Sequence, residues 1–517
     1  MSAAIPGPRA LFWLAALSGL LLAFSFPKFG HPAAAWVALA PLLLALTVPV
    51  ASTLPRTAGP RPFWLGLTTG LVCFAGTLYW IPQTLREFGG LPWPVAIGIG
   101  GLFCAYLALY PALFAAITAG LIRRYGTEAL WLSPAVWVVT EYARGHLFTG
   151  FPWVSLGSSQ WSVLPVAQLA SLGGVPLLSA LLAAVSAAIA YTVIAGRWHV
   201  RAMVAVLVVV SAGAIWGQWR MGQDALTRTG APIAVGVVQG NVPQGQKWDP
   251  AYSAEISRRY LDLTERVAAQ GVNLVVWPES STPFVFEDDV VPSDAVRSVV
   301  RRHGIHLLLG SEEIQRGADL RFYNSAFLLA PDGTTADTYR KVHLVPFGEY
   351  VPLADVLFFA SPLVEAVAAF SPGESLGPLR LDGHRISTAI CYEIVFPALV
   401  RESVLGGSEL LTTITNDAWY GRSSAPHQHF AQATLRAVEM GRYLVRSANT
   451  GISAIVDPYG RVLERSSLFE TTTLVGRARL IGRPTIYARI GDSFVWASGA
   501  LTLVAWLTAV GGRRRQV

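Results

Sequence analysis

Hydrophobic positions fall along this chain in two regimes. From Met1 to about Trp219 long apolar runs are broken only by short polar connections; from about Met221 to Asp492 apolar and polar positions alternate as in a globular α/β sequence; a last apolar run, Ser493–Val510, precedes "GGRRRQV". About 20 apolar residues are needed to cross the hydrocarbon core of a bilayer. That measure predicts about eight transmembrane helices, near Ala10–Phe26, Pro32–Ala51, Pro62–Ile81, Pro94–Ile122, Ala129–Ala143, Pro165–Gly196, Ala202–Gly217 and Ser493–Val510. The fifth is the shortest and carries Glu141. The first has the look of a signal-peptide core, but six further runs follow it with no small-residue cleavage pattern.

Between the seventh and eighth runs the pattern shortens to strand length. Ile233–Gln239, Asn273–Trp277, Ile305–Gly310, Asn324–Ala330, Ile386–Ile390, Glu409–Thr415 and Gly451–Asp457 read as strands. Ala251–Gln270 has helical spacing and stops at Gly271, Asp332-Gly333 suits a hairpin turn, and His427–Ser447 reads as a long helix. Strands alternating with helices predict a layered α/β domain. The expected division is a membrane domain over 1–219, an extramembrane α/β domain over 220–492, and an eighth helix with a basic tail over 493–517.

Composition agrees with the membrane reading. Of 517 residues 53% are hydrophobic and 14% charged, against roughly 25% charged in soluble domains. The arginines set an orientation. With eight spans, Arg9, Arg56, Arg61, Arg123, Arg124, Arg197, Arg201 and Arg513–Arg515 share one side, while the short loops of the other side hold Lys28, Arg86 and Arg144. The positive side is cytoplasmic, so both termini are expected there and the α/β domain outside. The net charge of +7 is then a topology signal, and nucleic-acid binding is a poor reading of it.

Three cysteines are present. Cys73 and Cys104 lie in apolar runs, so Cys391, in "ISTAICYEIVFP", is the one thiol of the polar domain and has no evident disulfide partner. Alone, it is as well explained by burial, since free cysteine is among the most buried residue types. Two other polar residues close strand-like runs: Glu279 after "VVWP" and Lys341 in "YRKVHLVPFGEYVP". A thiol of ordinary pKa, about 8.5, is mostly protonated at neutral pH. A carboxylate to take its proton, and an ammonium to meet the thiolate and later an oxyanion, would make it a nucleophile.

The runs "VVWPES", "RKVHLVPFGEYVP" and "ICYEIVFP", in this order, resemble the nitrilase (carbon–nitrogen hydrolase) superfamily with its Glu–Lys–Cys triad. Within it, the multi-helix frame, "HLVPFGEYVP", "VVQGNVPQGQKWDP" and "TNDAWYG" resemble the apolipoprotein N-acyltransferases, so the resemblance covers the whole chain. It implies a nitrilase-like αββα sandwich in the outer domain. It implies Glu279 as general base, Lys341 as oxyanion stabiliser and Cys391 as nucleophile, with Trp248, Glu349, Tyr392, Glu393, Asn416 and Trp419 in supporting positions. It further implies a bacterial inner-membrane enzyme with no metal or cofactor, acting last in lipoprotein maturation. Such enzymes move the sn-1 chain of a phospholipid, typically phosphatidylethanolamine, through a thioester to the α-amino group of a diacylglyceryl-cysteine.

Three further points stay open on the sequence. Leu353–Phe370 is apolar enough to be a lipid-contacting lid, or a buried core helix. "EYARGHLFTGFPWVSLG" (Glu141–Gly157) suits either a lipid head group or an interfacial anchor, and Glu141 either a function or a local pairing with Arg144. Rival functions are a membrane-tethered amidase using water as acceptor, and a transporter or receptor. The eight spans argue against the first, and the trio of base, ammonium and thiol against the second.

Overall fold

The computed structural model describes residues 7–51, 61–195, 200–317, 319–350 and 370–511. The chain divides into two compact units. One comprises Met1–Gln223, Ser423–Leu435 and Ile490–Val517; the other comprises Asp224–Arg422 and Arg436–Arg489.

The first unit is helical. Among the described residues four stretches are long and apolar enough to cross a membrane: Trp93–Arg144, Ala170–Ala195, Val200–Arg228 and Ser493–Gly511. They become five if Pro62–Thr77 and Trp80–Glu87, bent by 52°, form one span. The sequence suggests eight, and the difference has three sources beside that bend. Two expected spans run together through the turn Gly126–Leu132, and Pro8–Ala23 is 16 residues long, about 24 Å at 1.5 Å per residue. The expected span Pro32–Ala51 is divided into a short turn, Pro32–Trp36, and a helix, Ala40–Ala51.

Lipid offers no hydrophobic drive for helices to associate, so small residues set the packing. A Cβ on Gly66 would lie 2.3 Å from the Pro111 carbonyl oxygen, and one on Gly70 2.6 Å from the Ala108 Cα. Val204, Leu207, Val208, Val209 and Ile215 of the helix Val200–Gln223 are exposed, as a lipid-facing surface requires. Glu141 and Arg144 both hold the loop that follows their helix. Glu141 accepts from Leu156 N (2.6 Å), and Arg144 donates to the carbonyls of Phe151 (2.8 Å) and Trp153 (2.6 Å). Ser423–Leu435 joins this unit through side chains. Trp153 donates to Gln428 (2.8 Å), Gln428 donates to the Thr77 carbonyl (3.2 Å), and Phe430 meets Trp161 edge to face.

The second unit is built on two six-stranded sheets. The strands are β1 (Ala231–Gln239), β2 (Leu274–Val276), β3 (His306–Arg316), β4 (Leu320–Leu329), β5 (Thr335–Arg340), β6 (Leu379–Leu381), β7 (His384–Ile390), β8 (Leu410–Thr415), β9 (Leu444–Ala448), β10 (Ala454–Val456), β11 (Val462–Arg465) and β12 (Thr472–Leu480). The sheet orders are β12-β1-β2-β3-β4-β5 and β11-β10-β9-β8-β7-β6. Side chains alternate between the faces of a strand, and the two cores follow that period. Val235, Val237, Leu274, Val276, Leu308, Ala326 and Leu328 meet Ile386, Ile390, Leu410, Ile414, Val445 and Ile455 between the sheets. Val275, Leu307, Leu309, Phe327 and Leu329 turn the other way, onto the helices Pro250–Ala268 and Val290–His303. This is the expected sandwich with sheets inside and helices outside.

Differences from the sequence reading are local. The expected helix His427–Ser447 ends at Met440, and its last part becomes β9. The turn at Asp332-Gly333 joins β4 and β5, with Gly333 at φ +82°, where a residue with a side chain is strained. Of the proposed lid, all but Phe370 lies outside the described residues.

Candidate active site

Inner-face positions that are apolar in mid-strand become polar at the strand ends, and the site is built there. Along β3 the inner face reads Leu308, Gly310, Glu312; along β4 it reads Leu328, Ala326, Asn324; at the end of β5 it reads Tyr339 and then Lys341. Glu279 follows β2. Gly310 lets it in, because a Cβ there would stand 2.7 Å from the Glu279 Cα.

Glu279 is 6% exposed and its carboxylate is fully engaged. Oε1 accepts from Asn324 (2.8 Å) and Lys341 (3.3 Å), and Oε2 accepts from the backbone N–H of Asn416 (2.9 Å). Burial alone raises the pKa of this carboxyl. The Lys341 ammonium, the Asn324 amide, Lys247 and the Asn416 N–H outweigh that and hold it below the usual carboxylate range. Lys341, 1% exposed, also donates to Glu349 (2.9 Å). Burial works against its charge, but Glu349 and Glu279 raise its pKa on balance. Glu349 in turn accepts from Asn324 (3.1 Å) and Val345 N (2.8 Å).

Cys391 follows β7 with φ +53° and opens the tight turn Cys391–Val395. That left-handed conformation costs a non-glycine residue of order 1–3 kcal/mol. The thiol is buried and feels both Glu279 and Lys341, and the Thr415 hydroxyl hydrogen-bonds to it. Burial first, then the Glu279 charge, pushes its pKa up against the pull of Lys341. Together these directions describe a neutral thiol near an ionised carboxylate.

Glu393 binds this turn to Lys341. One oxygen accepts from Tyr339 Oη (2.9 Å), Val342 N (2.7 Å) and His343 N (3.0 Å), and the other from Ile390 N (2.7 Å). One buried carboxylate thus fixes the segments on either side of both Lys341 and Cys391. Tyr392 packs edge to face on Phe396 and near His343. Burial, with help from Lys341, lowers the His343 pKa to about 4, which leaves this ring neutral.

The other expected residues are placed less uniformly. The Asn416 side chain bridges Gln244 (2.7 Å) and Asn449 (3.0 Å). Trp419 is half-buried, and Trp248 is 47% exposed. Its neighbour Lys247 is the buried one, its ammonium 3.1 Å from the Glu279 carbonyl oxygen. Sequence reasoning missed Lys247, Asn324, Glu312 and the buried pair Asp417–Arg446 (2.9 Å). The signal for Asn324 and Glu312 was a polar residue at an inward position of a strand whose other inward residues are apolar or glycine.

Comparison with known proteins covers nearly the whole chain. Residues 234–480 match the carbon-nitrogen hydrolase family, and residues 18–188 match the apolipoprotein N-acyltransferase N-terminal domain. An apolipoprotein N-acyltransferase of Geobacter metallireducens is 40% identical over 99% of this chain and 97% of its own length. One from Shewanella oneidensis is 34% identical over 95% and 96%. A carbon-nitrogen hydrolase of Helicobacter pylori aligns structurally with 48% of this chain and 89% of its own, at 18% identity and TM-score 0.38.

Proposed function

Because the chain belongs to the apolipoprotein N-acyltransferase family, we propose that it transfers an acyl chain from a membrane phospholipid to the α-amino group of a lipoprotein's diacylglyceryl-cysteine. The observation that carries this reading is Glu279, kept ionised by Lys341, Asn324 and the Asn416 N–H while its charge acts on a buried neutral thiol. A general base poised against a thiol, with an ammonium alongside, is what acyl transfer through a thioester requires.

In the first half-reaction Glu279 takes the Cys391 proton as sulfur attacks the ester carbonyl. Lys341 stabilises the oxyanion, and Glu279 returns the proton to the departing lysophospholipid alkoxide. Cys391 then carries the acyl chain as a thioester. In the second half-reaction the acceptor amine attacks the thioester; Glu279 takes a proton from it and returns one to the leaving thiolate. The substrates bind in turn, giving ping-pong kinetics. The donor is a phospholipid such as phosphatidylethanolamine. The enzyme sits in the bacterial inner membrane with the second unit on the periplasmic side and both termini cytoplasmic, as the arginine distribution supports.

The test is mass spectrometry of the full chain purified from membranes. A fatty-acyl adduct is expected on Cys391, discharged by a diacylglyceryl peptide with a free α-amine and absent from Cys391→Ala. No adduct in the presence of phospholipid overturns the reading. An adduct lost as fast to water as to the amine identifies a hydrolase instead.

A further inference from the structure

Two buried oxygens beside Glu279 have no hydrogen-bond partner among the described residues: Asn324 Oδ1 and Glu312 Oε2. Buried acceptors left empty are uncommon and call for an explanation. The orientation of Asn324 is fixed, because its nitrogen donates to both Glu279 and Glu349, so its oxygen is turned away from both carboxylates. Glu312 is the register partner of Asn324 across β3 and β4. Residues directly opposite share a face with Cβ atoms about 4.5–5.5 Å apart, so both side chains leave the inner face, with Gly310 and Ala326. Glu313, next along β3, points the other way to Arg340 and Ser325.

Lys247 and Glu279 act on Glu312, and the Ser280 hydroxyl hydrogen-bonds to it. Among the described residues the carboxyl groups of Glu279, Glu349 and Glu312 lie near the side chains of Lys341 and Lys247, and burial lowers the pKa of Lys247, so a cationic group brought to Glu312 would meet no excess of positive charge.

We propose that Glu312 Oε2 and Asn324 Oδ1 form the subsite for the acceptor's primary ammonium, with Glu312 removing the proton that frees its lone pair. This rests on the acyltransfer reading above and adds to it a recognition site and a second base. The proton balance calls for one. An α-amino group has a pKa of about 7.7–8.0 and arrives mostly as an ammonium at neutral pH. Converting an ammonium and a thioester to an amide and a thiol releases one proton overall. Glu279 shuttles a proton from the attacking amine to the thiolate and ends unchanged, so the extra proton needs another acceptor. The Glu312 carboxylate takes it from the ammonium nitrogen, becomes the neutral acid and later returns it to solvent. Burial raises the Glu312 pKa to about 7, against the pull of Lys247, so its carboxylate can accept a proton near neutrality and release it again.

The test separates the two half-reactions in the full chain in detergent. Loading of Cys391 from phospholipid and discharge by a diacylglyceryl peptide are followed by mass spectrometry at pH 6.5 and 9. For Glu312→Gln the ratio of discharge to loading is expected to fall about tenfold at pH 6.5. It should recover at pH 9, where the amine arrives neutral. Glu312→Asp, which keeps a carboxyl, should restore part of the ratio at pH 6.5. Discharge by hydroxylamine, uncharged near neutrality, should not distinguish the variants. A ratio unchanged at both pH values, or lowered equally at both, overturns the subsite while leaving the acyltransfer reading intact. A wild-type protein that never loads overturns both.

Discussion

Glu393 shows how much one buried side chain organises here. Its two oxygens hold three backbone N–H groups and the Tyr339 hydroxyl, and those N–H groups flank the proposed ammonium and nucleophile. Burial raises its pKa against these donors. Glu393→Gln replaces one acceptor oxygen by an NH₂ that faces N–H donors, at about 1–3 kcal/mol for each group left unpaired. Acyl-adduct formation should fall by about 10²-fold or more, while denaturant unfolding shows a loss of about 1–3 kcal/mol. Activity lost in proportion to folded protein alone would reduce Glu393 to a structural role. At this scale the sequence was informative where chemistry sits in short runs, as in "CYE" and "PFGEY". It was silent on Lys247 and Asn324, because a lysine in a loop and an asparagine in a strand acquire meaning only from what the fold sets against them.

Strand ends explain why the site forms where it does. Mid-strand inner faces are apolar and seal the sandwich, and the same period carries polar residues to the ends of β3, β4 and β5. Gly310 is the hinge of this arrangement. Gly310→Ala would force the backbone at Glu279 outward, since its Cβ would sit 2.7 Å from the Glu279 Cα. A misplacement of even 1 Å can cost about 10²-fold in rate, so loading of Cys391 should drop by that order. Unchanged loading would show that the neighbouring backbone yields. Short strand-like runs made most of the strands legible in advance, β1, β2, β4, β7 and β8 among them. β9 was read as helix because "YLVRSAN" continues a helical run, and only Gly441 at φ +65° ends it. β5, β6, β11 and β12 are short or mixed in polarity and are held by pairing with their neighbours, which a local pattern does not display.

At the scale of the molecule, hydropathy made the two-part organisation evident but not its seams. Ser423–Leu435 belongs with the helical unit although it lies within the expected α/β stretch 220–492, because its attachment is by specific contacts. Phe430 is 1% exposed against Trp161, and Leu435 is buried with Ala167 and Val175. A fragment spanning 224–489 would carry these side chains without their partners. It should be digested by protease well before the corresponding region of the full chain in detergent. Equal resistance would mean that the second unit closes over them by itself.

The path of the polypeptide between the units has a consequence for biogenesis. It leaves the helical unit at Gln223, returns for thirteen residues at Ser423, leaves again, and comes back at Ile490. A ribosome that has finished the helix Val200–Gln223 has therefore not made all of that unit. Its remaining pieces emerge only as translation closes, so the helical part must wait, incompletely assembled, for most of the catalytic part to be synthesised.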